Sequence, residues 1–446
     1  MKLSFKEKIG YSVGELAGSS LWQTMMFFLP VFYTDIFGIS AAAAGTLFLV
    51  VRIFDALNDP IMGSIADRTK SRWGKFRPYL LFGSFPLGML TVLMFTTPDF
   101  SEPGKLIWAY STYFMLLVLY TIVMVPFNSL IGVMSPNPLE RVSLSSYKFV
   151  AAYSAGIFVQ ALLIPMVEKL GQGNEARGYQ LAMGIIAIMG VTSLLVAFFT
   201  TRERVLPDPE AKKTLKTDFA DLFSNRPWVV LFAISIIFLI YIGVRSASVM
   251  YYFEYYIGRK DLASVFMVSG TLAVLLGVLP TKYLSVKLGK KRLFIISMFV
   301  IAGSLITNYF AAPDDIILIF GTQILFSLAS GPSMPLLWSM LADSADYGEW
   351  KTGRRTTGLI YSAITFGQKT GVAVGAAFML YVIGAFGYIA NQMQLPGALT
   401  GMRLCMTLIP AAICLVGTGI LFYYNLNEKT LEKIEKDLAE RRSSAK

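Results

Sequence analysis

Long apolar runs alternate with short polar breaks along nearly the whole chain. Runs of about 20 residues or more, the length a helix needs to cross a bilayer, fall near 10–37, 41–66, 78–97, 105–133, 144–167 and 180–200. A polar stretch at 201–226 follows. Six more runs lie near 227–257, 262–286, 293–311, 316–342, 356–384 and 400–424. The pattern predicts an all-α polytopic membrane protein with twelve transmembrane helices in two six-helix halves, 1–200 and 227–424. A cytoplasmic linker (201–226) joins them, and a tail (425–446) closes the chain. In the tail Leu431, Ile434 and Leu438 repeat at helical spacing among charges. They predict an exposed, solvated surface helix.

Composition supports this class. The 446 residues are 55% hydrophobic and 15% charged, against about 25% charged in a soluble domain. The net charge of +11 is read as topology rather than nucleic-acid binding. Lys and Arg crowd the N-terminus, the 67–77 loop, the linker, the 287–292 and 351–355 loops and the tail. The alternate loops hold Lys105, Lys169, Arg177, Arg259 and Lys260. This bias predicts that both termini face the cytoplasm. The absence of His excludes imidazole catalysis, imidazole metal sites and His proton relays. Cys405 and Cys414 share one run and form no metal-ligand spacing. The first apolar run is too long and too aromatic for a cleavable signal and is expected to be a span.

Charge inside the second run is the strongest chemical signal. Asp55 and Asp59 are four apart and share a helix face, with Arg52 on the same stripe and Asn58 beside them. A charge in hydrocarbon costs about 3 kcal/mol on insertion scales, so these groups face protein or an aqueous cavity. Their hard oxygens suit Na⁺, Li⁺ or a proton. Arg52 is a candidate ion-pair partner for Asp55. In span 4, Pro126 predicts a bent or broken helix, with Thr121 as an extra cation ligand and Asn128 as a further polar group. Span 1 carries Glu15, Ser19, Trp22 and Gln23 as one polar stripe whose aromatic plane suits a sugar face. Lys148 in span 5 either snorkels to the interface or points inward as a gate or substrate contact. Asp343 and Asp346 end span 10 ahead of Arg355, in a charge-dense segment suited to conformational salt bridges. Lys369 in span 11 needs a partner, and Asp55 or Asp59 is the natural one. Arg245 is an internal cation without a sequence-adjacent partner. Glu254 sits among Tyr251, Tyr252, Tyr255 and Tyr256, which read first as an interfacial aromatic belt.

Two parallel halves of six spans are the architecture of the major facilitator fold. The basic loop 67–77 has a counterpart at Leu288–Arg292, in the same place within the second half. Asp55-Ala-Leu-Asn58-Asp59-Pro60, Gly63 and Arg68-Thr-Lys-Ser-Arg-Trp-Gly-Lys-Phe-Arg-Pro78 closely resemble the glycoside–pentoside–hexuronide:cation symporters. Asp343…Asp346-Tyr-Gly-Glu-Trp-Lys-Thr-Gly353…Arg355 with Lys369 resembles that family's second signature. The resemblance implies alternating-access symport of a small glycoside with Na⁺, Li⁺ or H⁺ in a bacterial inner membrane, with no cofactor. It implies that Asp55 and Asp59 hold the cation, with Asn58 and Thr121 contributing and Lys369 nearby. Ser19 and Met124 stand where the melibiose permease has its sugar-binding acids, and Lys148 stands near its span-5 arginine. The resemblance therefore carries over the cation site but not the melibiose site. Lysolipid-transporting relatives leave an anionic or amphipathic substrate as the alternative. A membrane-embedded enzyme is disfavoured: there is no His, no nucleophile elbow and no metal-ligand cluster.

Overall fold

The computed structural model describes residues 3–204, 222–352, 357–426 and 428–444. Thirteen principal helices follow in chain order. They are α1 (Phe5–Phe27), α2 (Ala41–Arg68), α3 (Arg77–Met94), α4 (Glu102–Met134), α5 (Pro138–Gly171) and α6 (Glu175–Thr200). Then come α7 (Arg226–Tyr251), α8 (Asp261–Val278), α9 (Lys290–Tyr309), α10 (Ile316–Ser330), α11 (Thr357–Ala385), α12 (Pro396–Met406) and α13 (Glu428–Ser444). Further helices extend three of these: Thr281–Leu288 follows α8, Ser333–Thr352 follows α10 and Leu408–Leu421 follows α12. Ten spans among the described residues are long and apolar enough to cross a membrane. With α1 (23 residues) and α3 (18 residues) they make the twelve.

Polar caps start these helices where the sequence leaves backbone N–H groups unpaired. Ser4 and Glu7 form a reciprocal capping box at α1. Ser40, Asn137, Asn174 and Asn225 accept from backbone N–H groups in the first turns of α2, α5, α6 and α7. The turn into α3 uses another device. The Glu203 carboxylate accepts from the N–H groups of Lys75 (2.8 Å), Phe76 (2.7 Å) and Arg77 (3.1 Å). Gly74 precedes them at φ +108°, and a Cβ there would lie 2.6 Å from a Glu203 oxygen. Only glycine both adopts this conformation readily and leaves room for the carboxylate.

The chain divides into two compact units. The first comprises Met1–Pro209 with Arg259–Val268 and Gly387–Leu395; the second comprises Glu210–Gly258, Ser269–Phe386 and Pro396–Lys446. In the first unit α1 packs on α5 and α6, α3 on α4 and α6, and α2 on α4. Tyr11 stacks on Phe127 with ring centroids 4.8 Å apart. In the second unit α7 packs on α11 and on Leu408–Leu421, and α9 packs on α10.

The two units repeat a local irregularity. The α1 region ends in a π turn, Phe32–Ile36, with Gly38 at φ +80°. The α7 region ends in a π turn, Tyr252–Tyr256, with Gly258 at φ +71°. π turns are rare. The same turn, with glycine at the same offset, supports the internal symmetry first suggested by the basic loops.

Several expectations are corrected. Span 4 is neither broken nor interrupted: α4 runs continuously through Pro126. A proline removes one helical hydrogen bond, and packing from neighbouring helices compensates for it. The breaks fall at Leu279–Pro280, at Gly331–Pro332 and at Thr407, each inside a run expected to be continuous. The tail does form a helix, but it is not solvated all round. Ile434 and Leu438 are buried, and Trp350 Nε1 donates to Asp437 at 2.8 Å, fastening α13 to Ser333–Thr352. The apolar stripe is thus a packing face. Tyr251 and Tyr252 are fully buried in the second unit, so they are core rather than an interfacial belt.

Candidate functional site

The first unit gathers most of the singled-out residues into two neighbouring clusters. One lies between α2 and α4. Thr121 Oγ1 is 2.9 Å from Asp55 Oδ1 and 3.0 Å from Asp59 Oδ1. Asp55 and Thr121 are buried, and Asp59 is half-buried. The one-turn spacing of the acids puts both on the face that α4 covers, and Thr121 projects between them. The two carboxylate oxygens are then no farther apart than these two contacts laid end to end. At an effective dielectric near 20 and a separation of about 5 Å, two negative charges repel by about 3 kcal/mol. The Thr121 hydroxyl has one hydrogen for two carboxylates. Such an arrangement suits a bound monovalent cation or a shared proton. Asn58 lies beside it, its amide nitrogen buried without a hydrogen-bond partner.

Arg52, one turn earlier on α2, is buried. Its Nε donates to the Tyr113 hydroxyl at 2.8 Å, and its guanidinium lies over the Trp22 ring, 4.8 Å from the centroid. Nη1 is buried without a hydrogen-bond partner. Arg52 is therefore held by two groups the sequence did not indicate, Tyr113 and Trp22.

The second cluster joins α1, α4 and α5. Ser19 Oγ donates to Glu15 Oε1 at 2.8 Å, and Lys148 Nζ is 3.4 Å from Glu15 Oε2. Lys148 also donates to Asn128 Oδ1 and lies 5.8 Å from the centre of the Phe127 ring. Lys148 thus points inward and does not snorkel. The stripe on α1 is arranged by the opposite face of that helix. Gly10, Gly14 and Gly18 recur every fourth residue, and a Cβ on them would meet Thr200 at 1.8 Å, Phe127 at 2.6 Å and Met124 at 2.3 Å. That face is packed flush, so Glu15, Ser19, Trp22 and Gln23 occupy the rest of the helix surface. Gln23 accepts from Gln160 Nε2 at 3.4 Å. Tyr120, one residue before Thr121, reaches toward α1: a Cβ on Gly18 would lie 3.6 Å from its hydroxyl.

The remaining candidates belong to the second unit. Lys369 sits half-buried on α11. Asp343 pairs with Lys290 at 2.7 Å, tying Ser333–Thr352 to the start of α9. Asp346 lies on the same helix segment, and Arg355 lies outside the described residues. Arg245 is buried, donates to Gln323 and lies over Phe326 at 4.1 Å. Among the described residues no group of three or more Cys, Asp or Glu side chains could hold a metal ion in the ordinary protein-ligand sense. Tyr113, Tyr120 and Gln160 were missed from the sequence. Phenols and amides inside spans carry no distinguishing spacing, and their partners come from other helices.

Comparison with known proteins shows the family. The family described as MFS/sugar transport protein matches residues 10–428. An uncharacterized symporter of Bacillus subtilis (strain 168) is 41% identical, covering 99% of this chain and 96% of the relative. A putative glycoside/cation symporter of Escherichia coli (strain K12) is 36% identical, again over 99% of this chain and 96% of the relative. The crystal structure of a D-xylose-proton symporter superposes with a TM-score of 0.69 at 15% identity, covering 96% of this chain and 98% of that one. At that identity the likeness concerns the fold alone. The multi-pass helical architecture, the match along nearly the whole chain and the two signatures agree: this chain belongs to the MFS/sugar transport family, among the glycoside–pentoside–hexuronide:cation symporters, and is a membrane transporter rather than an enzyme.

Proposed function

We propose that the protein is a secondary symporter of the inner membrane, both termini in the cytoplasm, that couples entry of Na⁺, Li⁺ or H⁺ to uptake of a glycoside, pentoside or hexuronide. The observation that carries this reading is the convergence of Asp55 and Asp59 on one Thr121 hydroxyl, in a span that apolar residues otherwise dominate. Two carboxylates held this close gain a cation readily, and must release it when the site opens to a compartment that is poor in it. The adjoining cluster of Glu15, Ser19, Asn128 and Lys148 supplies acceptors and donors of the kind a sugar needs, with Trp22 as an aromatic wall. Lys369 is the candidate from the second unit. Cation binding and sugar binding strengthen each other by linkage, and the carrier works by alternating access. The naming of a relative as a glycoside/cation symporter supports the same substrate and ion classes.

The test is uptake of labelled glycosides into membrane vesicles under an imposed inward gradient of Na⁺, Li⁺ or H⁺. Accumulation driven by at least one of the three gradients is expected. Sugar movement indifferent to all three would overturn coupling, and purified protein that hydrolyses the glycosides would revive an enzyme.

A further inference from the structure

We propose that the Glu15–Lys148 pair makes this carrier selective for uncharged glycosides and against sugar carboxylates and sulfonates. The inference rests on the substrate-site reading of the α1–α4–α5 cluster given above. A lysine in that cluster by itself suggests an anionic substrate. The geometry assigns it another role, because its charge is already matched: Lys148 Nζ stands between the Glu15 carboxylate at 3.4 Å and the side-chain Oδ1 of Asn128. The Glu15 side chain is only 12% exposed. An anionic sugar that captured Lys148 would leave this largely buried carboxylate without its counter-ion, and would bring a second negative charge beside it. Arg52, the neighbouring cation, is held on α2 by Tyr113 at Nε and lies with its plane over Trp22, outside the Glu15–Lys148 pair.

An uncharged sugar meets the opposite situation. Glu15 Oε1 already accepts from Ser19 at 2.8 Å. Glu15 Oε2 is buried and accepts no hydrogen bond. A sugar hydroxyl is the donor that oxygen lacks, and a hydroxyl bound to a carboxylate makes a short, strong contact. Lys148 retains hydrogens for a ring or hydroxyl oxygen without leaving Glu15. The pair therefore offers a charge-balanced acceptor and donor to a polyol and a net cost to an anion. Selectivity arises here from the penalty on the wrong ligand as much as from contacts with the right one.

The experiment uses purified full-length protein in proteoliposomes with an inward cation gradient. Uptake is compared for methyl β-D-xyloside, methyl β-D-glucoside and methyl β-D-glucuronide, the last two differing only in a carboxylate. Cation-stimulated uptake of a neutral member is expected, with the glucuronide poorer by about tenfold or more. Glu15→Gln frees the lysine charge and is expected to raise the glucuronide-to-neutral ratio about tenfold. In the double variant Glu15→Gln/Lys148→Gln, which removes both charges, the ratio is expected to fall back. A wild type that prefers the glucuronide, or a ratio that Glu15→Gln leaves unmoved, overturns the inference and leaves symport standing. If Glu15→Gln does not fold, the wild-type ratio and the double variant decide. Absence of cation-stimulated uptake for all three sugars overturns the reading on which the inference rests.

Discussion

Thr121 is the residue on which the proposed coupling chemistry turns. Its hydroxyl touches both acids of α2 and is buried. Replacing it with Val keeps the shape but removes the donor, leaving the carboxylates to repel each other with less support. Hydrogen bonds to charged groups contribute about 1.5–3 kcal/mol, so the cation concentration for half-maximal stimulation of uptake should rise about tenfold or more. Thr121→Ser should restore it, while sugar exchange in the absence of a gradient persists in both variants. An unchanged cation dependence in Thr121→Val would remove Thr121 from the site. Asp55 and Asp59 were legible as a pair because charge in an apolar run is costly and their spacing puts both on one face of α2, whereas Thr121 was legible only as a polar group within a span. Tyr113 was not legible: it holds Arg52 from 61 residues away, and only the packing of α2 on α4 brings the two together. Lys148 was legible as a choice between two fates. The choice was settled by Glu15 and Asn128, which lie on two other helices.

At the scale of elements, periodic glycines decide how closely the helices approach. Gly10, Gly14 and Gly18 on α1 have a counterpart on α11, where Gly367, Gly371 and Gly375 also recur every fourth residue. A Cβ on Gly375 would lie 2.3 Å from the Ile240 carbonyl oxygen of α7, and one on Gly371 would lie 2.7 Å from that of Ile236. Small residues at such spacing let backbones meet in membranes, where burial of apolar surface offers little drive. Gly375→Val must push the two helices apart, and about 1–3 kcal/mol of stability should be lost. Gly184, in α6, has open space around it, and Gly184→Ala should be neutral or slightly stabilising. Thermal unfolding of the purified variants in detergent checks both, and equal behaviour of the two would contradict the close-packing account. The existence and rough extent of the spans were readable from hydrophobic runs alone. Their breaks were not, because Pro126 sits in a continuous helix while Leu279–Pro280 and Gly331–Pro332 interrupt theirs. Composition is the same kind in each case; the surrounding packing differs.

For the whole molecule, the proposed topology puts the basic loops and both termini in the cytoplasm. Cys405 and Cys414 are buried, so introduced cysteines can be labelled against a quiet background. Asp261→Cys, at the exposed first residue of α8, should react with a membrane-impermeant maleimide in intact cells. Ser71→Cys, in the basic loop after α2, should react only after permeabilisation, and the reverse pattern would invert the assigned topology. The central claim is that Asp55 and Asp59 make the coupling cation and the sugar bind as one event. It is tested most directly by measuring the affinity of purified protein for a transported glycoside with and without saturating Na⁺, Li⁺ or low pH, in wild type and in Asp59→Asn. Linkage predicts that the effective cation raises wild-type sugar affinity by about 5–150-fold, and that Asp59→Asn still binds sugar but loses that rise. A rise of equal size in Asp59→Asn would contradict the account.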